Sequence, residues 1–157
     1  MEIVARAVNE WLSGVEKLFL DTAPIIYHVE GNPRYQPVTD VIFRRLDEGF
    51  FVAVTSSITL AETLVLPYRL GNVALVEQFR NVIVHGANTH YVGVDGATEL
   101  AAEIRARYDL SLIDSFQVAT ALNAGCDALL TNDADIRRIR ELRVLVLDDL
   151  LSLISSR

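Results

Sequence analysis

Cysteine is nearly absent: among 157 residues only Cys126 carries a thiol. No intramolecular disulfide and no thiolate metal cage can form, and a secreted scaffold held by disulfides is excluded. Lysine is as scarce, since Lys17 is the only one and the other basic residues are arginine. No apolar run approaches the ~18 residues of a membrane-spanning helix. The N-terminus (MEIVARAVNEWLSG) has acids where a secretion signal has a basic start and an apolar stretch. No membrane association is therefore expected, and the expected setting is soluble, reducing and cytoplasmic. The three histidines, His28, His85 and His90, are scattered without ligand spacing, which argues against zinc. No G-x-S-x-G elbow surrounds Ser56, Ser57 or Ser115. No phosphate-binding glycine loop follows the first apolar run, which speaks against nucleotide-dependent chemistry.

What is present is apolar and acidic. Half of the chain is hydrophobic, and 21 acids against 14 basic residues give a net charge of −7. This length predicts a single domain with a full core, needing no metal or disulfide to fold. Net negative charge disfavours a broad nucleic-acid surface at long range, although a cluster of metal-binding carboxylates would itself swell the acidic count.

Periodicity predicts alternating strands and helices. A first amphipathic helix carries Ile3, Val4, Ala7, Val8, Trp11 and Leu12 and stops near Gly14. Strands are expected at 18–20, 50–54, 91–94, 128–130 and 144–146. Helices are expected at 23–30, 38–48, 58–70 (kinked or split by Pro67), 73–85, 97–108, 112–124, 134–141 and 148–155. Such alternation predicts an α/β fold with a mostly parallel sheet covered on both faces. Function in such sheets gathers beyond the carboxyl ends of the strands.

Four acids stand where that rule matters. Asp21 follows the first strand (LDTAPIIY) and Asp133 follows the fourth (TNDADI); Glu62 (TLAET) and Asp114 (SLIDSFQVATAL) lie early in helices. Each has an ordinary explanation in helix capping: Asp21 and Asp133 as N-caps, Thr59-x-x-Glu62 and Ser111-x-x-Asp114 as capping boxes. Together they say more. Carboxylates converging at ~5 Å would repel by roughly 3 kcal/mol per pair at an effective dielectric of ~20. They would hold protons or a divalent cation, and an all-oxygen set favours Mg2+ or Mn2+.

Those segments, in that order and separated by 41, 52 and 19 residues, resemble the PIN-domain ribonucleases, in particular the toxins of VapBC-type toxin–antitoxin modules. The likeness runs from about Lys17 to Leu151. It implies a three-layer α/β/α sandwich with a central, mainly parallel sheet. It further implies a Mg2+- or Mn2+-dependent endoribonuclease in which Asp21 and Asp114 are the principal metal ligands. Glu62 and Asp133 would complete the pocket, and Thr131 would help to orient it. The partners implied are an RNA substrate and a cognate antitoxin protein covering the sheet-end groove. Two departures stand out: bulk acidity, and a helical extension over residues 1–16 ahead of the first strand. That extension packs on the domain, covers a groove or mediates assembly, a homodimer being one option. Other readings are a PIN-like scaffold without turnover and a PIN nuclease of RNA processing. A phospho-receiver would need a lysine late in the chain, and a haloacid-dehalogenase-like phosphatase would need Asp where Ala23 stands. Clustered arginines at 137, 138, 140 and 143 are either phosphate contacts or a solvated helix face paired with acids such as Glu141.

Overall fold

The structure, a computed structural model, describes residues 2–156. In chain order its elements are α1 (Glu2–Trp11), β1 (Lys17–Leu20), α2 (Thr22–Glu30), α3 (Gln36–Asp47), β2 (Val52–Ser56) and α4 (Ser57–Arg69). They continue with α5 (Val73–Ile83), β3 (Thr89–Val92), α6 (Thr98–Tyr108) and α7 (Leu112–Asn123). The last are β4 (Ala128–Thr131), β5 (Arg143–Val146) and α8 (Leu147–Ser155), with 3-10 turns at Asp95–Ala97 and Ala134–Arg138. The five strands form one sheet in the order β3-β2-β1-β4-β5, and every pairing is parallel.

Alternation along the strands builds two cores, one on each face of the sheet. Leu18, Leu20, Ala53, Ala128 and Leu130 point toward α1, α2, α3, α5 and α8. Phe19, Val54 and Leu129 point the other way, into Ile104 of α6, Val118 and Ala121 of α7, and Ile136. The expected three-layer sandwich is thus the observed one, and burial on both faces explains why the strands read as continuous apolar runs.

The chain works outward from β1 to β2 and β3, then crosses to the other side for β4 and β5. The reversal lies between β1 and β4, where a crevice opens beyond the carboxyl ends of open parallel sheets. Register there is fixed by the pairing of Leu20 with Leu130 and by the Asp21 amide, which donates to the Leu130 carbonyl at 2.9 Å. Asp21 and Thr131 therefore leave the sheet side by side.

Four local expectations shift. β2 and β3 each begin about two residues off the expected spans, because their limits follow pairing rather than hydropathy. Phe50 stays outside β2, 65% exposed beneath the Arg45 guanidinium. β3 is an edge strand only half covered, so its apolar pattern is weak. α4 is not divided at Pro67; the proline sits in the last turn, where the bond it removes is one of few remaining. The expected helix at 134–141 is a 3-10 turn, and Ile136, Ile139 and Leu142 repeat every three residues into the second core.

α1 is built into the first core: Ala7 and Val8 are buried in it, with Trp11 and Leu12 packed alongside. Arg143 ties its end down by donating to the carbonyls of Trp11 and Ser13. After α7 the chain turns through Gly125, whose φ of +72° suits a residue without a side chain. Next to it Cys126 is buried, and burial pushes its thiol up to about 12. The folded protein is expected to react with a thiol reagent at pH 8 about 10²–10³ times more slowly than the denatured chain.

Candidate functional site

The crevice between β1 and β4 holds all four acids. Asp21, Glu62, Asp114 and Asp133 line one open groove of ≈ 400 Å3 together with Thr22, Ile26, Tyr27, Thr131 and Asn132. A second hollow, of ≈ 380 Å3, lies at the opposite, amino end of the sheet among Asn9, Leu12, Val15, Arg45, Phe50 and Phe51, and it contains no acid. Chemistry therefore singles out the β1–β4 groove.

Asp21 is the buried member of the set, 7% exposed at the N-cap position of α2. Its carboxylate makes no capping bond; instead Gln117 Nε2 donates to Oδ1 at 3.0 Å and Thr131 Oγ1 donates to Oδ2 at 2.8 Å. Two donors hold this buried carboxylate in one orientation. Thr131 Oγ1 also accepts the Asp133 amide at 3.0 Å, so one hydroxyl links the ends of β1 and β4.

Asp114 enters from α7. The expected cap is real, with Ser111 Oγ accepting the Asp114 amide at 3.0 Å, and the Asp114 carboxyl lines the groove. Burial raises that carboxyl to about 7, and a hydrogen bond to Asp133 and the charges of Asp133 and Asp21 act in the same direction. Asp133 combines both readings of its role: Oδ1 accepts the Asp135 amide at 2.9 Å, starting the 3-10 turn, while the side chain also meets Asp114.

Glu62 departs from the capping-box expectation. α4 begins earlier, capped by Ser56, whose Oγ accepts the Thr59 amide, so Glu62 lies a full turn further in. Its Oε1 accepts from Thr22 Oγ1 at 2.6 Å, which aims it at the groove from the α2 side.

Among the described residues, no three histidine, cysteine or acidic side chains close on one point as a ready ligand set. The carboxylates are instead shared out, Asp114 with Asp133, Asp21 with Gln117 and Thr131, and Glu62 with Thr22. The donor chemistry still fits a hard divalent cation: the groove's acids supply only oxygen, and among the described residues none has a basic partner within ion-pair distance.

Sequence reasoning passes over two residues that hold this site. Gln117 is fully buried and also donates to Thr59 Oγ1 at 2.7 Å, while its carbonyl accepts the Ser56 hydroxyl. Its signal is an amide side chain three residues after Asp114, set between apolar Phe116 and Val118. Asn132 donates to the hydroxyls of Tyr27 and Tyr35 and accepts the Asp148 amide, pinning the loop between Thr131 and Asp133. The arginines after Asp133 are largely structural. Arg137 grips Asp149 with two bonds, and Arg143 holds the end of α1. Glu141 pairs with Arg107 of α6 and not with the arginines next to it in sequence.

No curated protein sequence matches the chain. Several solved structures are similar in fold. One is a chain of VapBC2 from Rickettsia felis bound to a DNA fragment from its promoter, with a TM-score of 0.61 and 18% identity, covering 83% of this chain and 98% of that one. A second, DNA-bound VapBC from Salmonella typhimurium, has a TM-score of 0.60 at 20% identity with the same coverage. VapC20 of Mycobacterium tuberculosis, described as a Sarcin-Ricin loop cleaving toxin, has a TM-score of 0.57 at 19% identity, covering 71% of this chain and 86% of that one. The PIN domain family pattern matches residues 18–142, from β1 to the threshold of β5, with α1 ahead of it. Over that span, which carries all four acids of the groove, the chain belongs to the PIN domain family.

Proposed function

We propose that this protein is a Mg2+- or Mn2+-dependent endoribonuclease and the toxin of a toxin–antitoxin pair. The observation that carries the reading is the Asp21–Gln117–Thr131 lock in one groove with Glu62, Asp114 and Asp133 at the switch point of the sheet. Asp21 and Asp114 are the principal metal ligands in this reading, and Glu62 and Asp133 complete the pocket. Thr131 acts as a positioning residue through its bond to Asp21 Oδ2. A bound divalent cation would offset the carboxylates' charge, make a water nucleophilic near neutral pH and stabilise charge building up on the phosphate.

The chain's own part is preorganisation. Gln117 and Thr131 each donate to the buried Asp21 carboxylate and fix its rotamer. Asp114 is the group whose charge state changes, because its proton is released near neutral pH. Glu62 reaches in from α4 and is held toward the groove by Thr22. No histidine lines the groove, so none is positioned to act as general base there. A protein partner that covers the groove and offers a basic side chain to these acids would silence them, which is the role assigned to the antitoxin. The solved structures of similar fold include a toxin–antitoxin complex from Klebsiella pneumoniae, which supports that assignment.

The test is incubation of the full chain with single-stranded RNA in Mg2+ or Mn2+, in parallel with excess EDTA. Cleavage is expected with either ion. It should vanish with EDTA and fall at least about 10²-fold in Asp21→Asn, since several kcal/mol of metal-borne stabilisation are at stake. Cleavage that survives EDTA, or an Asp21→Asn chain as active as the wild type, contradicts the proposal.

A further inference from the structure

The acids explain hydrolysis of a phosphodiester but not what holds the nucleotides on either side of it. On the groove's wall beside Asp133, Tyr27 stacks on Tyr35 with ring centroids 4.0 Å apart and planes 5° from parallel. Tyr35 is buried, whereas Tyr27 is only partly covered and lines the groove. The pair is held rigidly. Asn132 Nδ2 donates to the Tyr27 hydroxyl at 3.2 Å and to the Tyr35 hydroxyl at 3.0 Å, and the Tyr35 hydroxyl donates to Asp148 Oδ1 at 2.7 Å. Asn132 is in turn fixed by the Asp148 amide, at 2.9 Å from its Oδ1. The polar ends are thus satisfied by the protein, and Tyr27 lines the same groove as the acids.

Next to this stack stands Arg34, its guanidinium 5.6 Å from the Tyr35 ring centre. Its ion pair with Asp148 is long, at 3.6 Å, and both side chains are at least half exposed. Such a pair is weak and readily exchanged for a phosphate. Arg137, the nearest basic residue in sequence to Asp133, is by contrast committed to Asp149 through two bonds.

Resting on the nuclease reading above, we propose that Tyr27, backed by Tyr35, is a stacking platform for a nucleobase adjoining the scissile phosphate, with Arg34 meeting the neighbouring backbone. The substrate class that follows is RNA with an unpaired base at the cleavage site. A base in a duplex is already stacked on both faces and cannot lie on a side chain, whereas a loop or single strand presents one freely. The mode also suits an acidic chain, because stacking needs no positive field.

The test measures binding of a fluorescein-labelled single-stranded RNA, and of the same sequence as a duplex, by anisotropy in Mg2+. The full chain carries Asp114→Asn to stop cleavage, and is compared with the same chain bearing Tyr27→Leu or Tyr27→Phe. Melting curves establish that each variant is folded. Tyr27→Phe keeps the ring and should bind as tightly as Tyr27, while Tyr27→Leu keeps apolar bulk without the ring and should bind about 5- to 100-fold more weakly. The duplex should bind more weakly than the single strand. Equal affinity for Tyr27→Leu and the parent, or no binding by either, overturns the platform. The nuclease reading is judged separately on the wild-type chain. Tyr27-dependent binding without cleavage refutes that reading alone, and cleavage with Tyr27-independent binding refutes the platform alone.

Discussion

Asp114→Asn is expected to lose RNA cleavage by about 10³-fold and, at pH 8, to melt at a higher temperature than the wild type. The first effect follows from removing a principal ligand of the proposed cation and the group whose proton is released near neutrality. The second follows from linkage. The Asp114 carboxyl titrates at about 7 in the folded chain and near 4 when unfolded. Between those values the folded state binds more protons than the unfolded one, so stability falls as pH rises through that window. Above about pH 7 the whole penalty is present, and asparagine removes it. Because the carboxyl is half exposed, solvent screening leaves about 1–2 kcal/mol of it, or roughly 2–8 °C in a domain of this size. Below about pH 4 both forms are neutral and the two melting curves should converge. A variant that melts lower than the wild type at pH 8 would show that burial and the neighbouring acids do not penalise the Asp114 charge.

Gln117→Leu is expected to act in the opposite sense on stability and the same sense on activity. The amide it removes serves Asp21 Oδ1, Thr59 Oγ1 and the Ser56 hydroxyl, all inside a buried layer between β1, α4 and α7. Leucine fills the volume but leaves an oxygen of a buried carboxylate and two hydroxyls without their partner. Buried groups stripped of a partner cost about 1–3 kcal/mol each. Thr59 keeps weaker contacts, at 3.4 Å to Ser56 Oγ and 3.5 Å to the Leu20 carbonyl, so the sum should be about 2–4 kcal/mol. Thermal melting should show a fall of roughly 5–15 °C. Cleavage should decline as well, because Asp21 loses one of the two donors that fix it. An unchanged melting temperature would mean that the amide adds nothing to the layer it bridges.

These two side chains also mark how far the sequence could be read. Strand ends are legible because a buried strand must be continuously apolar: LFL followed by Asp21, and ALLT followed by Asp133, point to the two carboxylates at the crevice. Asp114 and Glu62 are legible because acids amid apolar neighbours need a reason, although the capping-box reading placed Glu62 one turn too early. Strand order is not legible in the same way. The side of β1 on which β4 lies depends on long-range packing, and without the family resemblance the four acids remain separate caps. Gln117 was overlooked because a single polar residue in a helix reads as solvent-facing until the burial of its neighbours is known. The arginines at 137 and 143 read as phosphate contacts or surface, yet their partners lie in α8 and at the end of α1, both distant in sequence from the acids. α1 itself was legible as an amphipathic helix. Its place against α3 and α8 was not, because an apolar stripe names no partner.

The central claim is that the acids of the β1–β4 crevice form one site for a divalent cation. Its most direct test is the melting temperature of chelator-stripped protein against rising Mn2+ at pH 7.5, for the wild type and for Asp21→Asn. Binding to the native state stabilises by mass action, about 2.7 kcal/mol at a hundredfold excess over the dissociation constant. A saturable rise of roughly 5–10 °C is expected in the wild type and little or none in Asp21→Asn. A wild type indifferent to millimolar Mn2+, or a rise that Asp21→Asn leaves intact, would contradict it.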